Sequence, residues 1–284
     1  MGDTIGTHLT ALARERHPRT APIALRDTAR YLSQHFSAAG LDVTEHRFEA
    51  WGESYENVIG TTPASADQMA APLILAAHYD TVEGSPGADD NASGLVVLIE
   101  VARRITGIKL IRPVRFIAFC LEEENLLGSR AYVSHLLATR QVVHGAIVLE
   151  CVGCASDREG TQQIPPGIPV AVPTVGNFLA VIGNQQSAPL TTRLTEAMRH
   201  SVPVIPLVVP GNGELLPDTR RSDHTAFWEG GFPAIMITDT ANFRNPHYHR
   251  PTDTIESVNL AFLSSVADAV TAGVLACTST QGMS

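Results

Sequence analysis

The sequence predicts an α/β protein, a three-layer sandwich in which a mostly parallel mixed central sheet carries helices on both faces. Three observations predict it. Short continuous apolar runs recur (LILAA, FIAF, AIVL, AIMI), as strands covered on both faces require. Segments with helical spacing separate them. Histidines and acids stand where several runs end, as expected when a site gathers beyond the carboxyl ends of a sheet.

Taken in order, residues 1 to about 40 read as helical. ALRDTARYLSQHFSAAG places Leu25, Ala29, Leu32 and Phe36 on one face, with Gly40 as a stop. LDVTEHRFEAW alternates as a half-buried strand does, ENVIGTT suits its hairpin partner, and TPASADQMAAP reads as a loop. Residues 73–77 form a run typical of a central strand. LVVLIEVARRITG then reads as a helix against the sheet, with Asn91 or Ser93 placed to cap it.

After Pro113 the strand VRFIAFCL stops at Glu122, Glu123 and Glu124. GSRAYVSHLLATR is helical, and HGAIVLECVG is a further buried strand holding Glu150, a charge that needs a partner. Residues 155–176 are rich in Pro and Gly and form a long loop. Strands LAVIGN and VPVIPLVV flank the helix TTRLTEAMRH. SDHTAFWEGG, the strand FPAIMITD, the loop TANFRNPHYHRPTDT and a helix over 258–277 complete the chain.

The 284 residues show no seam and are expected to form one domain, 1–284, with no inserted domain. A hydrophobic content of 44% with 17% charged residues is that of a globular chain. The net charge of -9 and the lack of any basic run leave out the footprint of a nucleic-acid binder. No run of about 18 uncharged apolar residues exists, so no membrane partner is expected. MGDTIGTHLT has neither a basic nor an apolar leader region, which leads to an expected cytoplasmic location, shared in appearance with a mature secreted form. Four scattered cysteines make no disulfide framework, and the pair Cys151 and Cys154 is expected to pack rather than bind metal. Oligomeric state is not encoded in any motif.

His78 and Asp80 close one strand, Glu122 and Glu123 a second, and Glu150 lies near the end of a third. Asp223 and His249 sit in loops flanking another. Histidine and carboxylate donors without cysteine suit zinc, or the harder manganese or cobalt. Five candidates exceed one open site. With a carboxylate bridging they suit two ions roughly 3.5 to 4 Å apart, and Asp89, on a glycine-flanked turn, is the expected bridge. Adjacent strand residues face opposite sides, so Glu122 and Glu123 share a site only at a strand end. If Glu123 holds metal, Glu122 is left as the general base. His247 competes with His249, being two residues away on an extended segment. Ser222, Asp223 and His224 lack a nucleophile elbow and cannot form a triad as neighbours.

The motifs HYD, GADDNASG, the double Glu before LLGSRAY, and YHRPTDT together resemble the co-catalytic zinc aminopeptidase family, which also contains glutamate carboxypeptidases and glutaminyl cyclases. The resemblance spans residues 73–254 and implies a phosphorylase/hydrolase-like zinc exopeptidase fold. It implies that His78, Asp89 and Glu150 hold one Zn2+, that Asp89, Glu123 and His249 hold a second, that Glu122 is the base, and that Asp80 orients His78. Co2+ or Mn2+ can replace zinc. Asp223 and His224 would border the substrate pocket. Glu150 stands where well-known members carry Asp, and Asn125 where Gly is common. The implied activity is removal of the N-terminal residue from a peptide substrate. A single-zinc glutaminyl-peptide cyclase is the alternative, as is a carboxypeptidase or acyl-amino-acid hydrolase anchoring a carboxylate through Arg220, Arg221, Arg244 or Arg250.

Overall fold

The structure, a computed structural model, describes residues 4–63 and 70–278. The expected loop over 62–72 falls largely on residues 64–69, outside the described residues, as do residues 1–3 of the expected helical start. Among the described residues eight strands form one sheet: β1 (Asp42–Ala50), β2 (Glu53–Thr61), β3 (Leu73–His78), β4 (Val114–Phe119), β5 (Gly145–Glu150), β6 (Leu179–Asn184), β7 (Val204–Val209) and β8 (Ala234–Thr238). Their order is β1-β2-β4-β3-β5-β8-β6-β7. The middle, β4-β3-β5-β8, is parallel throughout. β1 and β2 add antiparallel on one side, and β6 returns antiparallel to β8 on the other.

Among the described residues seven α-helices cover it: α1 (Thr4–Leu12), α2 (Pro22–Ala38), α3 (Gly94–Ile105), α4 (Leu127–Ala138), α5 (Ala188–Met198), α6 (His224–Glu229) and α7 (Leu260–Thr278). Strand alternation sorts the core into two layers. Leu73, Leu75 and Ala77 face a layer containing Leu25, Leu32 and Phe36 of α2, Leu194 of α5 and Val270 of α7. Ile74 and Ala76 face the other, with Tyr132 and Leu136 of α4 and Phe227 and Trp228 of α6. Phe36 meets Phe116 of β4 at a ring separation of 6.1 Å. Truncating such a fully buried aromatic costs about 3–5 kcal/mol.

The expected N-terminal helical stretch is divided. Between α1 and α2 the chain turns at 13–21, where Arg16 is drawn inside and Pro18 interrupts helix hydrogen bonding. The β1–β2 hairpin closes through Trp51 (φ 52) and Gly52 (φ 80), two left-handed residues that match the strand twist. α7 is long and apolar enough to cross a membrane by length and composition. It instead packs Leu263, Val266, Val270 and Val274 into the core, and its Asp268 pairs with Arg104 of α3 at 2.8 Å.

Candidate metal centre

β3 ends at His78, whose Nδ1 lies 3.2 Å from the Asp80 carbonyl oxygen. With Nδ1–H donated there, Nε2 is left to face the sheet edge. The chain then turns to Gly87, which is left-handed (φ 57) and so close to the Asp90 carbonyl oxygen and the Thr81 methyl that a Cβ has no room. Next, the Asp253 carboxylate accepts the backbone N–H of Asp89 (3.1 Å) and of Asp90 (3.1 Å). This fixes the turn. Asn91 accepts the Gly94 N–H at 3.2 Å and is thus the residue that caps α3, while Ser93 donates back to the Asp89 carbonyl.

Asp90 lies between two imidazoles. Its Oδ1 is 3.1 Å from His78 Nε2 and its Oδ2 is 3.1 Å from His249 Nε2. Glu150, at the end of β5, brings Oε2 to 3.5 Å from His78 Nε2. That oxygen accepts the Ser222 hydroxyl (2.7 Å), and Oε1 accepts the Cys151 thiol (3.2 Å). Glu123 brings Oε2 to 3.2 Å from His249 Nε2, while Glu122 Oε2 lies 4.0 Å from His78 Nε2. Both glutamates reach the site because β4 ends at Phe119 and Leu121 is left-handed (φ 61), so strand alternation no longer separates them.

Asp89, the expected bridge, is not between the histidines. Its Oδ1 accepts Gly153 N–H (2.9 Å) and its Oδ2 accepts Asn245 Nδ2–H (2.8 Å), facing the interior beside Asp239 and Asp253. The amides that Asp253 holds set the direction of the turn, and they aim Asp90, not Asp89, at the sheet edge. His247 turns away and pairs with Thr252 Oγ1 at 2.9 Å, leaving His249 as the histidine that reaches the cluster.

Asp223 and His224, expected at a substrate pocket, are instead fully interior. His224 donates Nε2–H to the Thr219 carbonyl (2.8 Å) and meets Trp228 edge-on, and burial lowers its pKa to about 4. Asp223 lies behind the cluster, its carboxyl pushed up to about 7 by burial and by the acids Asp80 and Glu150. The physical reason is local: α6 starts at His224 and turns both side chains inward, onto Trp228 and toward β5.

The electrostatics are those of a cation site. Among the described residues His78 Nε2, both oxygens of Asp90 and Glu123 Oε1 are buried with no hydrogen-bond partner. Burial pushes the Glu122 carboxyl well up, with Glu150 and Glu123 adding to it against His78. Burial and Asp90 push Glu123 up to about 7. Against burial, the imidazoles of His249 and His78, each 3.1 Å away, hold Asp90 low. Against burial, Asp90 and Glu123 push His249 up to about 10. A buried imidazole and carboxylate cluster of this kind fits zinc.

Two openings meet at the cluster. One is apolar, walled by Pro165, Ile168, Ile182, Met236 and Phe243, and reaches Glu150. The other is polar, with Glu122, Glu123 and His249 at its floor and Arg130 and Arg220 on its wall. Arg221 and Tyr248 line both. Tyr248 stacks on His249 (centroids 3.9 Å, 16° between planes) and accepts Arg221 Nη2–H at 3.1 Å. Sequence reasoning missed Tyr248, although it directly precedes His249.

It also missed Arg16, a fully buried guanidinium that donates to the carbonyls of Tyr79 (2.8 Å), Pro86 (3.0 Å) and Gly87 (3.1 Å), and to Leu12 and Arg14. Burial lowers its pKa to about 10, while Asp90, Asp80 and Asp253 act to raise it. It clasps the turn that carries Asp90. No local pattern in RERHPR signals this.

The chain is 32% identical over 274 residues to the uncharacterized protein YfbL of Escherichia coli (strain K12), covering 91% of this chain and 83% of that one. It spans about half the length of the aminopeptidase relatives it matches. Its fold superposes on that of the Legionella pneumophila LapA aminopeptidase with a TM-score of 0.73 at 20% identity, over 98% of this chain and 72% of that one. It is also similar to BSAP, a zinc aminopeptidase from Bacillus subtilis, with a TM-score of 0.60 at 26% identity, over 82% and 52% of the two chains. The model of the family described as Peptidase family M28 matches residues 57–274, and the chain belongs to that family.

Proposed function

We propose that the chain is an aminopeptidase that works with two divalent ions, zinc in the first instance, and removes the N-terminal residue of short peptides. The observation that carries this reading is Asp90, whose two carboxylate oxygens each stand 3.1 Å from a different histidine. His78 and Glu150 would hold one ion, Glu123 and His249 the other, and Asp90 would serve both. Such ions supply Lewis acidity at the scissile carbonyl and acidify a nucleophilic water.

The remaining work falls to side chains. Glu122 sits at the floor of the polar opening in surroundings that favour its protonated form, which suits a group that takes a proton from water and returns it to the leaving amine. Tyr248, with Arg221 donating to its oxygen, keeps its own O–H free to donate to a carbonyl oxygen gaining charge. The apolar opening beside Glu150 suits an apolar side chain on the residue removed.

Substituting Glu122→Gln tests the reading. Hydrolysis of leucyl dipeptides should disappear while elemental analysis still finds two ions per chain. One ion per chain, with ammonia released from glutaminyl peptides, would instead identify a cyclase.

A further inference from the structure

The polar opening has a wall whose charge runs against that of the molecule. In a chain of net charge -9, three arginines, Arg130, Arg220 and Arg221, border the same cleft as Glu122 and His249. Arg130 Nη1 and Arg220 Nη2 both approach Glu229, at 3.0 Å and 2.7 Å. Arg220 also donates Nη1–H to the Asn212 carbonyl (2.6 Å) and has Glu214 at 4.0 Å, so Arg130, which shares Glu229 with it, is the less compensated of the two guanidinium groups. Among the described residues Glu229 is the one partner of the Arg130 guanidinium, and that side chain is 48% exposed, so its remaining N–H donors face the cleft. Arg221 is held between Asn242 Oδ1 (2.8 Å) and Tyr248 OH (3.1 Å), with Asp218 at 3.7 Å, on the ridge dividing the two openings.

That ridge assigns sides. A peptide with its first side chain in the apolar opening and its first carbonyl over the cluster has one direction left for the rest of its chain, the arginine-walled cleft. We propose that Arg130 and Arg220 form a carboxylate subsite for the leaving part of the substrate, so that di- and tripeptides with a free C-terminal carboxylate are preferred over blocked or long ones. The inference rests on the aminopeptidase reading. Its chemistry is general: the planar guanidinium fork matches a carboxylate, and an extended residue advances the chain by only about 3.3–3.6 Å, so a terminal carboxylate one or two residues past the scissile bond stays inside the cleft.

The test compares leucyl-glycine with leucyl-glycinamide, which differ in the C-terminal charge alone. With the zinc-loaded chain, KM for the amide should be roughly tenfold higher with kcat little changed, as expected when a charge-assisted hydrogen bond is missing from the ground state and the transition state alike. The double substitution Arg130→Gln with Arg220→Gln should raise KM for the acid to that of the amide and leave the amide unaffected. Arg130→Gln alone, at an exposed position, should close part of the gap if the double variant does not fold. Equal KM values in the unsubstituted chain, or a gap that survives the substitutions, would overturn the subsite. Calorimetric binding of both compounds to zinc-loaded Glu122→Gln provides the same comparison without turnover. A preserved preference for the acid with no hydrolysis of either compound by the unsubstituted chain would support the subsite and overturn the peptidase reading. Equal affinities would overturn the subsite alone.

Discussion

The carboxylate of Asp80 accepts the backbone N–H of Glu122 at 3.0 Å, and its second oxygen accepts that of Glu123 at 3.1 Å. Asp80, two residues past the end of β3, thereby fixes the turn that follows β4, while its own carbonyl oxygen sets the His78 ring. Asp80→Ala should lower zinc affinity by about 10- to 100-fold, because it frees both amide donors of the turn that carries Glu122 and Glu123 and removes the carboxylate 3.7 Å from His78 Nδ1. Competition with a chromogenic chelator measures it, and unchanged affinity would remove Asp80 from the positioning role.

The neighbours Asp89 and Asp90 separate cleanly by substitution. Asp90→Asn should leave the chain with fewer than two ions, since its oxygens are the ones facing His78 and His249. Asp89→Asn should retain both, because the side chain lies among Gly153, Asn245 and Asp239 and an amide can still accept one of those hydrogen bonds. Metal content of the two purified variants decides.

His224 gives the chain a specific acid sensitivity. Its folded pKa of about 4 lies below the ordinary 6.5, so between these values the unfolded chain carries a proton that the folded one refuses. Stability from this group is complete above pH 6.5, falls as pH drops toward 4, and changes no further below that. The amplitude is about 3 kcal/mol. In the presence of chelator, urea midpoints of His224→Phe should fall less steeply from pH 6.5 to 4 than those of the unsubstituted chain.

Arg16→Met should destabilise the fold by about 3–5 kcal/mol, as when one partner is removed from a buried charged network. The loss comes from stranded carbonyls at Tyr79, Pro86 and Gly87. Denaturant unfolding measures it. A change under about 1 kcal/mol would mean that water replaces the guanidinium.

The layers were legible because buried strands write themselves as apolar runs, and β3, β4, β5 and β8 all appear where such runs fall. Ligand-type residues past those runs were legible for the same reason. The choice between Asp89 and Asp90 was not, because in a turn with left-handed Gly87 and non-helical Asp90 and Asn91 neither strand nor helix period applies. What aims the turn is Asp253, more than 160 residues later, an interaction absent from any local window. Asp223 and His224 misled for a related reason: polar residues read as a surface motif, yet α6 packs them against Trp228 and β5. Arg16 shows the converse, a charged residue in a polar stretch that the fold buries completely.

The apolar opening takes Pro165 and Ile168 from the segment between β5 and β6, which Arg244 fastens through Gln162 (2.8 Å) and the carbonyls of Phe178 (2.8 Å) and Cys154 (3.2 Å). None of the proposed metal-holding residues lies in that segment. On the aminopeptidase reading, mutations there would reshape the side chain that is accepted without disturbing the reacting groups. Selectivity and reactivity are thus free to evolve at different speeds, and relatives sharing the histidines and carboxylates should diverge in diet first along this segment.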